Sequence, residues 1–164
     1  MQKVLIISTG GTFNKVYEAL DGSLPIDTKA KALDDIASHW LCHFKIVTII
    51  GKDSLDINEE DRKRLTKYIK KAKEEKILII HGTDTMNITA QYFDNAKINK
   101  QVILTGAMQP YSINPIEATA NFASAYGFLL GLEKQGIYIA MHSLIQEHKN
   151  IQKNKKKGYF ELKD

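Results

Sequence analysis

The sequence predicts a doubly wound, mostly parallel α/β sheet, a flavodoxin-like three-layer arrangement in a single domain. Three observations predict it. Lys3-Val4-Leu5-Ile6-Ile7, Ile77-Leu78-Ile79-Ile80 and Val102-Ile103-Leu104 are short runs without polar alternation, as expected for strands covered on both faces of a parallel sheet. Each run ends in a glycine beside small or hydroxyl residues: Thr9-Gly10-Gly11-Thr12, Gly82-Thr83-Asp84-Thr85 and Thr105-Gly106-Ala107-Met108. Helical segments separate the runs. Ligands of such sheets bind beyond the carboxyl ends of the strands, so all three glycine-bearing ends should meet at one edge.

The size fits. A chain of 164 residues suits one domain and buries about 70% of its unfolded surface. With 43% hydrophobic and 26% charged residues it has an ordinary globular composition. The net charge of +4, partly carried by the C-terminal segment, is weak grounds for a nucleic-acid partner. Cys42 stands alone, which excludes an internal disulfide and points to a reducing compartment. No basic, cleavable leader precedes the first strand, and no apolar run approaches the ~20 residues of a membrane span. A cytoplasmic protein without a membrane partner is expected.

Taken in order, Phe13 to Lys29 is rich in Gly, Asp, Ser and Pro and reads as a loop, a lid beside the site. A helix follows over Lys29 to Ser38, then a strand over Phe44 to Ile50 that Gly51 ends. Asn58 caps the next helix, with Glu59, Glu60 and Asp61 in its first turn to meet the positive dipole end. Leu65, Tyr68, Ile69 and Ala72 give that helix an apolar face, and its lysines coat the solvent side. After the strand Ile77 to His81, a helix is expected from Thr85 to Ala96. After the strand Val102 to Thr105, Pro110 to Asn114 forms a loop. Pro115 opens a long helix, with Phe122, Tyr126, Leu129 and Leu130 on its buried face. Ile137 to Met141 is the fifth strand, and His142 to Asp164 is a polar, lysine-rich tail.

Some chemistry is excluded. His39, His43, His81, His142 and His148 are not at metal-ligand spacing, and neither dinucleotide nor P-loop glycine signature occurs, so no metal and no cofactor are expected. His81 reads as a packed or turn-capping histidine rather than a base. Gly10 and Gly11 allow close approach of a ligand or another backbone; a tight turn alone would also explain them. A threonine needs a base before it acts as a nucleophile. Asp84, at the mouth of a helix, can hold an ammonium group or simply cap the helix. Local N–H groups can face an anion, and Ser54 can donate to a carboxylate. A small zwitterion such as an amino acid would suit this set.

Thr9-Gly10-Gly11-Thr12, His81-Gly82-Thr83-Asp84-Thr85 and Gly106-Ala107-Met108, each after a strand, resemble the bacterial-type L-asparaginase family, over residues 1–164 and over that family's N-terminal domain only. The resemblance implies an amidohydrolase in which Thr12 attacks the side-chain amide and Thr83, paired with a lysine and Asp84, is the second essential threonine. Asp84 would hold the substrate α-amino group and Ser54 its α-carboxylate. Backbone N–H groups at Thr12 and Thr83, beside Gly11 and Gly82, would form the oxyanion hole, with the Ala107 carbonyl near the leaving amide. Family-like spacing lands the lysine on Lys153, for which a solvated tail charge is the alternative reading. Tyr17 stands in for the family's lid tyrosine, five residues after Thr12.

The departures are specific. The chain carries no counterpart of the family's second domain, which supplies an acidic group to a neighbouring subunit's site. Leu55 stands where the family has Gln or Ser at the α-carboxylate or amino group. Three readings follow: a short amidohydrolase acting on L-asparagine or a related small amide, a non-catalytic domain that binds an amino-acid-type ligand, and a basic interaction protein. The paired threonines favour the first. Apolar surface uncovered by a second domain would favour a homo-oligomer.

Overall fold

A computed structural model describes residues 4–163; Lys3, at the head of the expected first strand, and Asp164 lie outside the described residues. Five strands form the parallel part of the main sheet: β1 (Val4–Gly10), β2 (Lys45–Lys52), β3 (Lys76–Ile80), β4 (Gln101–Thr105) and β5 (Gly136–Met141). β6 (Leu144–Glu147) adds to β5 in antiparallel sense, giving the order β2-β1-β3-β4-β5-β6. The strand order reverses between β1 and β3, and this switch point is where such a sheet presents its ligand crevice.

Every residue of β1, β3 and β4 is buried, because helices cover both faces. Leu5 and Ile7 of β1, with Ile77 and Ile79 of β3, face one layer that holds Leu65 and Ile69 of α2 (Glu59–Lys71) and Met86, Ala90 and Phe93 of α3 (Met86–Asn95). Val4 and Ile6, with Leu78 and Ile80, face the other layer, which holds Leu33 and Ile36 of α1 (Lys31–His39) and Ala118, Phe122, Ala125 and Leu129 of α4 (Pro115–Gly131). The strand period of two thus divides one apolar run between two cores.

The helix ends are satisfied by nearby side chains. Asn58 and Asp61 form a reciprocal capping box at the start of α2. Asn114 Oδ1 accepts the Ile116 N–H at 3.2 Å beside Pro115. At the other end of α4, the buried Lys76 ammonium donates to the carbonyls of Leu129, Leu130 and Leu132 at 2.7, 2.6 and 2.9 Å, a cation where the dipole is negative.

Three expectations need correction, and a fourth, the loop after Thr12, stands with added detail. β2 runs past Gly51 to Lys52. Leu130 is exposed, because the buried stripe of α4 passes through Ala118, Phe122, Ala125 and Leu129 and leaves the next residue one step round the helix. The loop after Thr12 folds back on itself: Val16 N–H donates to Pro25 O at 2.9 Å, Glu18 N–H to Ser23 O at 3.0 Å, and Lys15 bridges Ile26. Lastly, residues 142–163 are not a solvated tail. They form β6 and then a separate hairpin of β7 (Ile151–Asn154) and β8 (Tyr159–Leu162), whose Ile151 and Phe160 enter the α2–α3 core.

The glycines separate by surroundings. A Cβ at Gly11 would lie 2.5 Å from Gly82 N, and the residue has φ +74°. Gly127, inside α4, has open space around it. Gly11→Ala is expected to cost about 2–3 kcal/mol through overpacking and left-handed strain. Gly127→Ala is expected to gain about 0.5–1 kcal/mol from helix propensity. Urea unfolding midpoints of the two variants check both signs.

Candidate active site

The site forms where the strand ends touch through their backbones. Gly10 abuts Lys52 of β2, Gly11 abuts Gly82 after β3, Gly82 abuts Ser54 after β2, and Gly106 after β4 abuts the His81 carbonyl. Thr12 and Thr83 each follow, in their own segments, directly after the Gly11–Gly82 contact. Thr12 opens a 3-10 turn over Thr12–Asn14, with Gly11 as its N-cap, and is half-buried. Asn14, buried below it, donates through Nδ2 to the Gly10 carbonyl at 3.0 Å. Lys15 then pairs with Asp53 at 2.9 Å and ties this turn to the one that carries Ser54. The Lys15 ammonium beside Asp53 holds its carboxyl below the usual carboxylate range.

Thr83 is buried, and its hydroxyl is held from two sides. Lys153 Nζ donates to Thr83 Oγ1 at 2.8 Å and to Asp84 Oδ1 at 2.8 Å. Thr83 Oγ1 in turn donates to Met108 Sδ at 3.4 Å. Lys153 lies on β7, 12% exposed at its side chain, and is the one lysine of its cluster that the hairpin turns inward. Its neighbours Lys155, Lys156 and Lys157 fall in or beside the turn and are exposed. Asp84 precedes α3 and serves this ion pair; no side-chain hydrogen bond caps that helix at Thr85. Thr85 Oγ1 instead donates to Ser54 O at 2.7 Å.

Other expected residues take different positions. Ser54 is 1% exposed, and its Oγ is buried without a partner among the described residues. Leaving a hydroxyl so costs about 1–3 kcal/mol. Leu55 is 68% exposed and Tyr17, on the outward branch of the loop, is 57% exposed. Neither is gathered with the threonines. Ala107 is buried in the core layer shared with Phe13 and Phe122.

His81 lies at the back of the site as a packed histidine. Gly82 O accepts from its Nδ1 at 2.7 Å, which leaves Nε2 unprotonated to accept the Thr89 hydroxyl at 2.9 Å. Arg62 Nε donates to the same Thr89 oxygen at 3.0 Å. Burial, opposed by the Gly82 contact, pushes the imidazole down from 6.5 to about 4. Sequence reasoning missed Met108 as the acceptor for Thr83, and Arg62 and Thr89 behind His81. The Gly106-Ala107-Met108 motif was the available signal for Met108. Nothing local marks the other two, which meet across α2 and α3.

Comparison with known proteins gives a consistent result. The profile of the asparaginase N-terminal domain matches residues 3–161. A probable periplasmic L-asparaginase of Haemophilus influenzae is 29% identical, over 93% of this chain and 46% of its own length. L-asparaginase 2 of Escherichia coli K12 is 23% identical over 93% of this chain and 47% of its own. Among solved structures, the thermostable L-asparaginase of Thermococcus kodakarensis superposes with a TM-score of 0.83 at 25% identity, covering 98% of this chain and 51% of that one. A probable cytoplasmic L-asparaginase of Campylobacter jejuni gives 0.83 at 26% identity, covering 100% and 54%. The chain spans about half the length of the curated relatives it matches.

The His81 environment predicts a pH dependence. The folded value lies below the unfolded one, so between pH 6.5 and 4 the unfolded chain binds the proton first and stability falls as pH drops. The loss between pH 7 and 4.5 should be about 2–3 kcal/mol from this residue. Urea titrations of wild type and His81→Asn at both pH values test it: the variant should lack this share of the slope.

Proposed function

The chain belongs to the asparaginase family, whose N-terminal domain it matches over residues 3–161, and on that premise we propose that it hydrolyses the side-chain amide of L-asparagine or a related small amide. The observation that carries this reading is the Lys153 ammonium bridging the Thr83 hydroxyl and the Asp84 carboxylate at 2.8 Å each, one residue away from the Gly11–Gly82 contact that brings in Thr12.

In this reading Thr12 Oγ attacks the amide carbonyl and forms an acyl-enzyme. Ammonia leaves, and water cleaves the ester to release the acid and restore the hydroxyl. Thr83 and Lys153 carry the protons that these steps exchange. Backbone N–H groups beside Gly11 and Gly82 stabilise the oxyanion, each good donor contributing on the order of 3 kcal/mol. Asp84 takes the substrate ammonium. The Ser54 hydroxyl, buried and without a partner among the described residues, supplies a donor for the carboxylate. Tyr17 and the loop around it close over the bound substrate. Leu55 lines the outer edge and adds no charge there.

The assembly and compartment belong to the same proposal. The exposed side chains of Leu20, Leu55, Ile113 and Ile116 support self-association around the site, and the lone half-buried Cys42 supports a reducing compartment such as the cytoplasm. No helix among the described residues is long and apolar enough to cross a membrane.

Ammonia release from L-asparagine, L-glutamine and a panel of small amides tests the reading. Wild type should release ammonia, and Thr12→Ala and Lys153→Met should each lose on the order of 10⁴-fold in rate while remaining folded. Release unchanged in Thr12→Ala would remove that residue as nucleophile. No release from any amide, with L-aspartate still bound in calorimetry, would replace hydrolysis with ligand binding.

A further inference from the structure

Glu117 lies in the first turn of α4, where the helix dipole alone would account for a carboxylate. Its surroundings ask for more. Oε1 accepts the Met108 N–H at 2.8 Å, and His142 Nε2 and Asn121 Nδ2 stand 3.0 and 3.3 Å from the same oxygen. Oε2 accepts the Gln109 N–H at 2.9 Å. Two successive amides donating to the two oxygens of one carboxylate hold the loop after β4 in a single orientation. Asn121, one turn further along, donates to Gly106 O at 3.0 Å and accepts the His142 N–H at 2.9 Å.

His142 is itself in an unusual place. His142 and Ser143 form the two-residue turn between β5 and β6, with φ of 51° and 66°. That turn type normally selects Asn and Gly, because two consecutive left-handed residues are strained. The His142 ring is held at one side by Glu117 and packs edge-on against Phe160, centroids 6.0 Å apart. Phe160 pairs with Lys153 across the β7–β8 hairpin. Both neighbours of the Thr83 hydroxyl therefore lead back to one carboxylate. The Met108 sulfur is reached through the Met108 amide, and the Lys153 ammonium through Phe160 and His142.

We propose that Glu117, acting through His142 and the Met108 amide, is the positioning residue that sets the Lys153–Thr83–Asp84 constellation. Its effect on turnover rests on the amide-hydrolysis reading; its mechanical effect on the hairpin does not. The residues involved come from the start of α4, the loop after β4, the β5–β6 turn and the final hairpin, which are far apart in the chain.

Two kinds of variant separate charge-assisted orientation from simple packing. Glu117→Gln keeps the volume and loses the charge, and it turns an NH2 group toward a backbone N–H. Glu117→Asp keeps the charge and loses a methylene. His142→Asn tolerates the left-handed turn and removes both ring contacts, so it remains informative if Glu117→Gln folds poorly. Amide hydrogen exchange on the full chain should speed up by about tenfold or more over residues 151–162 in Glu117→Gln and His142→Asn, with melting temperature kept within about 5 °C. With L-asparagine, kcat should fall about 10–50-fold in Glu117→Gln with KM little changed, and Glu117→Asp should lie within about threefold of wild type. Unchanged exchange over 151–162 in both variants overturns the proposal, and so does an Asp variant slower than the Gln variant. An inactive wild type with accelerated exchange in both variants sinks the hydrolysis reading and leaves the coupling standing.

Discussion

The structure depends on one constraint: several strand ends must pack backbone against backbone. Gly10, Gly11, Gly82 and Gly106 each stand where a Cβ would meet the main chain or a side chain of the neighbouring strand end. Glycine is the residue that permits such approach, and at Gly10 and Gly11 it also supplies the positive φ that the turn needs. This convergence brings Gly11, Gly82 and Ser54 together at the switch point of the sheet.

What surrounds that point is organised to hold polar groups in fixed relation. The Arg62–Thr89–His81–Gly82 chain gives a buried imidazole a hydrogen bond at each nitrogen and makes it a brace for the turn before Thr83, while burial keeps it neutral. Glu117 and Asn121 do the same for the loop before Met108. Lys15 and Asp53 clasp the two turns in front. A buried polar group is tolerated only with its partners present, so each of these sets is intolerant of partial loss. Among the described residues, Ser54 Oγ and Asn14 Oδ1 near these turns are buried without a partner.

The elements outside the sheet differ in how firmly they are tied. The hairpin of β7 and β8 has its own pairing and contributes Ile151 and Phe160 to the core, which gives Lys153 a rigid base. The excursion from Val16 to Leu24 is exposed on the outside of its turn, held by a few backbone bonds to its own returning branch. The lysine thus stands on a packed base, while the loop stands exposed.

The sequence by itself determined the sheet, its winding and the glycines at which its strand ends meet. Unbroken apolar runs have one common solution, burial in a parallel sheet between helices, and glycine with threonine directly after such runs has a short list of uses. Local signals also sufficed for the helix starts at Asn58 and Pro115, since these are matters of adjacent residues. Only the tertiary structure decided what the last residues do. Six lysines among residues 149–163 conceal the short apolar positions Ile151 and Phe160 that make them a hairpin, and four-residue strands carry too little periodicity to read. The tertiary structure likewise decided that Lys153, rather than a neighbouring lysine, meets Thr83, and that Tyr17 and Leu55 face outward. It also decided that Glu117 joins Met108 to His142. These are contacts between segments far apart in the chain, and no local pattern encodes which of several equivalent charges a fold will turn inward.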